Sequence, residues 1–90
     1  MFKVTTEHNG DAITLRLEGT LADEWVEEML RCWQQLKATR RQPTRIDLSG
    51  VTWASSEGRE LLASMYRSGA ELVADDVLMK AIVEEIVARY

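Results

Sequence analysis

The 90-residue chain is 46% hydrophobic and 29% charged, with a formal net charge of -4 at pH 7. This composition is typical of a folded globular protein and excludes an intrinsically disordered chain. The acidic balance argues against a nucleic-acid-binding protein, which needs a basic face to contact phosphates. A chain of this length can build one hydrophobic core, so residues 1–90 are predicted to form a single domain.

Targeting and redox features indicate a cytoplasmic protein. The first seven residues contain no apolar stretch or cleavage pattern, so we expect no signal peptide. No apolar run approaches the length needed to cross a bilayer, and we expect no membrane insertion. Cys32 is the only cysteine, and we expect it to be a small buried hydrophobic residue in a reducing compartment. Cys32 and the single histidine, His8, cannot build a zinc site, so no metal is expected.

The chain begins with a predicted β-hairpin. Apolar and polar residues alternate from Phe2 to Thr6 and again from Ile13 to Leu17, which is the period of a half-exposed strand. Asn9-Gly10 lies between the two segments and is typical of a tight hairpin turn. Gly19-Thr20 is predicted to end the second strand.

The first helix is predicted to begin at Ala22. Acidic residues dominate its first turns and basic residues follow, as the helix dipole favours. It should end before Pro43, because the residue before a proline is disfavoured in a helix. A basic cluster at its C-terminal end, predicted to be solvated, consists of Arg31, Lys37, Arg40, Arg41 and Arg45. The apolar stripe of this helix consists of Ala22, Trp25, Val26, Met29, Leu30, Trp33 and Leu36.

Strands and helices alternate in the rest of the chain. The apolar run from Ile46 to Val51 predicts the central strand. A second helix is predicted from about Ser56, because serine caps helix starts, and Gly69 is its predicted stop. A short apolar run, Leu72 to Ala74, predicts one more buried strand.

Asp75 or Asp76 is predicted to cap a last helix, in which Leu78, Ile82 and Ile86 share one face with Met79 and Val83 beside it. The order β-β-α-β-α-β-α predicts an α/β fold with a mixed β-sheet and helices packed mainly on one face. We expect one common core that contains Ile46, Leu48, Leu61, Leu62, Leu72 and Ile82.

The segment between the central strand and the second helix reads Val51-Thr52-Trp53-Ala54-Ser55-Ser56-Glu57-Gly58. It resembles the signature of the STAS domain, a family that includes anti-sigma-factor antagonists. In that family a strand ending in a hydrophobic-Thr-aromatic step is followed by Asp-Ser-Ser-Gly or Asp-Ser/Thr-x-Gly and a helix start. Here Val51-Thr52-Trp53-Ala54 matches the strand exit, Ser56 takes the first Ser and Gly58 takes the Gly. Ser55 stands in place of the Asp. Glu57 stands in place of the second Ser, the phosphate acceptor of regulated members.

The resemblance implies a STAS-like fold and a non-enzymatic protein-binding module of bacterial-type regulation. Its partner would be an anti-sigma factor or a similar regulator with a serine-kinase fold. A glutamate at position 57 cannot accept phosphate, so the standard switch is expected to be lost, with Ser56 as the alternative, displaced acceptor. The predicted partner-binding surface consists of Ala54, Ser55, Ser56, Glu57, Gly58, Arg59 and Glu60, with the neighbouring loop Thr20–Asp23.

Two other functions stay open. One is an accessory subunit of a transporter ATPase, as lipid-transport STAS subunits are, and genome neighbours would distinguish it from a sigma-factor regulator. The other is a nucleotide or small-anion binding domain, because the N–H groups and dipole of a helix beginning at Ser55-Ser56 favour anions. No glycine-rich phosphate cradle is present, and no cofactor is expected.

Neither serine at this helix start is expected to be catalytic. Ser55 or Ser56 could act as a nucleophile only with a base, and His8 lies in or beside the first hairpin turn. Trp53, one residue before the turn at Ala54, is either a packing residue or an anchor for a partner. The alternation of the strand does not assign its face.

Overall fold

The computed structural model describes residues 2–38 and 45–89 of the chain. Its elements, in the predicted order, are β1 (Phe2–Asn9), β2 (Ala12–Leu21), α1 (Glu24–Ala38), β3 (Arg45–Ala54), α2 (Ser56–Arg67), β4 (Glu71–Val73) and α3 (Val77–Arg89). The strands form one mixed sheet in the order β1-β2-β3-β4. β1 and β2 are antiparallel, whereas β3 is parallel to both β2 and β4. The predicted fold class, a small α/β domain, is confirmed.

The hairpin closes through a two-residue turn, and its second strand is longer than predicted. Gly10 has a φ of 66°, a left-handed conformation that glycine adopts without strain. Pairing of β1 with β2 runs without interruption from Phe2 to Asn9. β2 continues to Leu21, beyond the expected end at Gly19-Thr20, because Leu21 still pairs with Ala54 of β3.

Two bulges in β3 decide which of its side chains face the helices. Relative to β2, β3 carries one extra residue before Val51 and another after it. The first extra residue brings Val51 into the core on the same face as Ile46 and Leu48. The second cancels the first, so that Ala54 is again buried.

The helices cover one face of the sheet, and the core lies between them. Met29 and Trp33 of α1 pack there with buried residues of β2, β3, α2 and α3. All six residues expected in the common core belong to it, which confirms that prediction: Ile46, Leu48, Leu61, Leu62, Leu72 and Ile82.

The opposite face of the sheet is polar, and its charged side chains pair with one another. Arg16 lies between Glu7 and Asp47, with N–O distances of 3.1 and 3.5 Å. Asp47 also accepts a hydrogen bond of 2.9 Å from the Ser49 amide at the first bulge. Burial alone would raise the pKa of Asp47, but the hydrogen bonds from Ser49 and the charge of Arg16 outweigh it and hold that pKa below its usual range.

The last helix is rotated relative to the prediction. Asp76 caps it, accepting hydrogen bonds from the amides of Leu78 and Met79. The buried stripe consists of Met79, Ile82 and Ile86. Leu78, predicted to share one face with Ile82 and Ile86, is 45% exposed, so that prediction is wrong for Leu78. Apolar residues occur on every side of α3, and the sequence pattern therefore could not single out the inward face.

The first helix begins at Glu24, two residues later than predicted, and Leu30 of the expected stripe is 40% exposed. Trp33 is buried, and Trp25 stacks on Phe2 with ring centroids 6.3 Å apart. Cys32 is half-buried rather than fully buried, and burial raises the pKa of its thiol. The predictions for Arg40, Arg41 and Pro43 lie outside the described residues.

Candidate functional site

The turn between β3 and α2 is fixed by hydrogen bonds of Ser55. Its hydroxyl oxygen accepts from the amide of Gly58 at 3.1 Å, which is the contact of a helix N-cap. Its own amide donates to the carbonyl of Leu21 at 3.0 Å. Ser55 therefore connects the helix start to the end of β2, and its hydroxyl is engaged in capping.

Gly58 allows α2 to lie directly on the end of β2. A Cβ at this position would be 2.5 Å from the carbonyl oxygen of Leu21 and 3.1 Å from its Cγ. Such distances to backbone cannot be relieved by a rotamer change, so only glycine fits without movement of the helix. The glycine of the sequence motif has a packing role here.

The predicted partner-binding residues divide by exposure into three groups. Glu57, Glu60 and Ser56 are exposed in the first turns of α2. Ser55 and Arg59 are half-buried, and the Nε of Arg59 donates to the carbonyl of Ala54 at 3.2 Å. Ala54 and Gly58 are buried, so they shape the turn from below and present no side chain to a partner.

A groove runs between α2 and α3 beside this turn. It encloses about 240 Å³, with Ala63, Ile82 and Ile86 contributing its apolar part. Its charged lining residues are Arg59, Glu60, Glu85 and Arg89, and Ser56 also lines it. Arg89 pairs with Glu85 at 3.4 Å and Glu60 offsets Arg59, so the groove has no net positive charge to attract an anion.

Trp53 lies on the polar face of the sheet, immediately before the turn. It pairs with Thr20, on the face opposite Leu21 and Ala54, and is 44% exposed. The sequence left its face unassigned, because two bulges in β3 intervene between Leu48 and Trp53. Of the two bulges, only the first has an indication in the sequence, which is Gly50 after Ser49 within the strand.

The segment Thr20–Asp23, predicted as a loop, begins with the last two residues of β2, and it adjoins the turn through the contact of Leu21 with Ser55. Leu21 and Ala22 are buried, and Asp23 is exposed with a φ of 54°. Asp23 and Glu57 thus lie in the two segments that meet at the end of β2.

The structure places the histidine far from both serines. His8 pairs with Ile13 near the start of β2, whereas Ser55 contacts Leu21 at its end. Eight residues of strand separate these points by roughly 26 Å, so His8 cannot act as a base for Ser55 or Ser56. Among residues 2–38 and 45–89 there is no cluster of three metal-ligating side chains and no helix long and apolar enough to cross a membrane.

No protein-family model matches the sequence, and no curated protein is significantly similar to it. Solved structures do match the fold. The unphosphorylated form of the anti-sigma factor antagonist SpoIIAA superimposes with a TM-score of 0.67, at 16% identity, over 99% of this chain and 96% of that one. An anti-sigma-factor antagonist STAS domain from Rhodobacter sphaeroides gives a TM-score of 0.59 at 25% identity, over 81% and 84% of the two chains.

The fold also occurs within a larger protein. Mglu superimposes on 80% of this chain with a TM-score of 0.60 and 24% identity, but the match spans 19% of the Mglu chain. The strand order, the three helices and the turn that joins β3 to α2 agree with the resemblance found in the sequence. The chain therefore folds as a STAS-like domain.

Proposed function

We propose that the chain is a non-enzymatic, cytoplasmic protein-binding module that acts as an anti-sigma-factor antagonist does and is not switched by phosphorylation at position 57. The observation that carries the proposal is the exposed carboxylate of Glu57 at the start of a helix that Ser55 and Gly58 position against the end of β2. The partner is a protein, of the class of anti-sigma factors or related regulators with a serine-kinase fold.

The surface offered to the partner is acidic at its centre. Glu57 and Glu60 are exposed in the first turns of α2, and Asp23 is exposed in the adjoining loop. An acidic surface is complementary to a basic patch on a partner, and this complementarity sets the orientation and rate of association. The first turn of a helix is also where a carboxylate is stabilised by the helix dipole.

The two serines beside Glu57 are poor phosphate acceptors for geometric reasons. The Ser55 hydroxyl oxygen is occupied by the Gly58 amide, so its modification would remove the cap of α2. Ser56 precedes Glu57 by one residue, a rotation of about 100° around the helix, and lies at the groove towards α3. A kinase positioned over residue 57 would find a carboxylate there and no hydroxyl group to phosphorylate.

Glu57→Lys provides the direct test. Purified kinase-fold regulators and transport ATPases encoded beside this chain are titrated against it by calorimetry. Reversal of one central charge should weaken binding of the true partner by about tenfold or more, while the midpoint of thermal unfolding changes little. Glu84→Lys, an equal charge change on the exposed part of α3 beside Leu72, is the matched control and should bind normally.

The outcome also identifies the partner class. Binding to a kinase-fold regulator that Glu57→Lys weakens supports the proposal. Binding only to a transporter ATPase would establish the accessory-subunit alternative instead. Equal affinity of Glu57→Lys and the unmodified chain would move the interface away from this turn. The groove, with its balanced charges, gives no separate support to nucleotide or small-anion binding.

A further inference from the structure

The outer edge of β1 is the longest unpaired strand edge among the described residues. The sheet ends at β1 on one side and at β4 on the other. β4 has three residues, whereas β1 has eight, with continuous pairing to β2 and no proline or bulge. A long regular edge presents a row of N–H and C=O groups that can pair with another strand.

The hairpin register shows which backbone groups face outward. A two-residue turn closes on a hydrogen-bonded pair, here Asn9 with Ala12. Because such pairs alternate along an antiparallel ladder, Lys3, Thr5 and Glu7 direct their backbone groups towards β2. The residues whose N–H and C=O groups point away from the sheet are Phe2, Val4, Thr6 and His8.

We propose that two copies of the chain form a symmetric dimer by antiparallel pairing of their β1 strands about a two-fold axis at Thr5. In this register Lys3 of each copy lies opposite Glu7 of the other, and the two Thr5 residues face each other. The outward-facing residues pair as Phe2 with His8 and Val4 with Thr6 of the second copy. These pairs exchange about eight backbone hydrogen bonds, and the two sheets become one.

The charges of Lys3 and Glu7 favour this register over the registers shifted to either side. The outward-facing N–H and C=O groups of the two copies can pair only in registers whose two-fold axis lies at a residue rather than between two residues. The nearest alternative registers are therefore centred on Val4 and Thr6. Centring on Val4 places Lys3 opposite Thr5, and centring on Thr6 places Glu7 opposite Thr5, so neither charge gains a partner. Cross-strand pairs of opposite charge stabilise a sheet, and Thr–Thr pairs do so as well.

The polar face of the sheet continues this charge pattern across the proposed interface. Lys3 lies opposite Glu18 within its own hairpin, and in the dimer it gains Glu7 of the second copy on its other side. Glu7 in turn contacts Arg16 at 3.1 Å. Charges of alternating sign thus run from Glu18 through Lys3 to Glu7 of the second copy.

Sedimentation equilibrium between about 1 μM and 1 mM tests the proposal, since an interface of one strand pair is small and its dimer depends on concentration. Lys3→Glu should raise the dissociation constant by about tenfold or more, because both salt pairs become repulsive. Lys80→Glu, the same charge change on the exposed part of α3, is the matched control and should leave the dimer unchanged.

Charge exchange makes the test specific for the register. Lys3→Glu and Glu7→Lys should each be largely monomeric, and an equimolar mixture of the two should dimerise, because every cross-strand pair is then opposite in charge. Thr6→Pro removes an N–H that faces outward, so it should abolish the dimer while circular dichroism shows a folded chain. Amide exchange should slow with concentration at Val4 and Thr6, relative to Lys3 and Thr5.

A chain that stays monomeric up to 1 mM, or a dimer that survives Thr6→Pro and Lys3→Glu, overturns the proposal. A mixture of the two charge variants that remains monomeric, although each is folded, overturns the register. None of these outcomes depends on the turn at Glu57, so failure of the dimer leaves the proposed function untouched.

Discussion

Gly58 lies so close to the carbonyl oxygen of Leu21 that a Cβ at this position would be 2.5 Å from that oxygen. The same oxygen accepts the Ser55 amide at 3.0 Å. One carbonyl at the end of β2 therefore sets both the position of the turn and the height of α2 above the sheet. The exposed acidic surface at Glu57 depends on that contact.

Gly58→Ala should destabilise the protein. Alanine favours a helix by up to about 1 kcal/mol over glycine, but the added Cβ collides with backbone, and overpacking of this kind costs about 1–3 kcal/mol. We expect a net decrease in the free energy of unfolding, measured by urea denaturation. Glu60→Ala, an exposed change on the same helix, is the control. A stability equal to or above that of the unmodified chain would contradict the close contact.

The rotation of α3 gives a second prediction. Leu62→Ala removes a fully buried side chain and should cost about 2–5 kcal/mol in the free energy of unfolding. Leu78→Ala makes the same chemical change at a residue that is 45% exposed, and should cost less than about 1 kcal/mol. Equal losses in urea titrations of the two variants would mean that Leu78 lies in the core with Ile82 and Ile86.

Asp47 should make the stability fall at low pH. Its pKa is lowered in the folded state, with burial outweighed by the Ser49 hydrogen bonds and the charge of Arg16. The contribution of this carboxylate is therefore present above its unfolded-state pKa, about 3.9, and is lost as the pH falls through the lower folded-state pKa. Asp47→Asn should be less stable than the unmodified chain at pH 7, and the difference should shrink below about pH 4.

Chemical denaturation as a function of pH measures this difference. Asp11→Asn, which removes a carboxylate from the exposed hairpin turn, controls for the change in net charge. A difference between Asp47→Asn and the unmodified chain that stays constant from pH 7 to about pH 2 would exclude the proposed linkage.

The protein isolated from its host should carry no phosphate at the start of α2. Glu57 has no hydroxyl, Ser55 caps the helix, and Ser56 lies at the groove between α2 and α3. Mass spectrometry of the tryptic peptide from Ile46 to Arg59 is the measurement. Stoichiometric phosphate on Ser55 or Ser56 would contradict this prediction and would indicate a phosphorylation switch with a displaced acceptor.

Much of the fold could be predicted from the sequence, because the patterns that indicate it involve residues close together in the chain. The hairpin turn that follows Asn9, the cap at Ser55 and the apolar run from Ile46 follow from short-range preferences, and all three are present in the structure, although Asn9 itself belongs to β1. The inward face of α3 could not be predicted, because that helix is apolar all round and only its packing against α2 and β3 selects Met79 over Leu78.

The location of the candidate site could be predicted from the sequence, but not which of its side chains are exposed. The motif indicated the turn from Ala54 to Glu60, but the pattern of residue types does not show that Ala54 and Gly58 are buried or that Arg59 bonds to the turn. The exposure of Trp53 depends on the pairing of β3 with β2, which involves residues more than thirty positions apart along the chain.

The two bulges of β3 also allow the length of this strand to change without moving its side chains between the two faces of the sheet. Loss of one extra residue would remove one bulge, and the residues that follow would keep their partners in β2, so Trp53 would stay on the polar face and Ala54 in the core. Loss of both extra residues would yield a regular strand with the same two faces. We therefore expect homologous sequences that are shorter by one or two residues between Leu48 and Trp53 to keep the same residue types facing the helices.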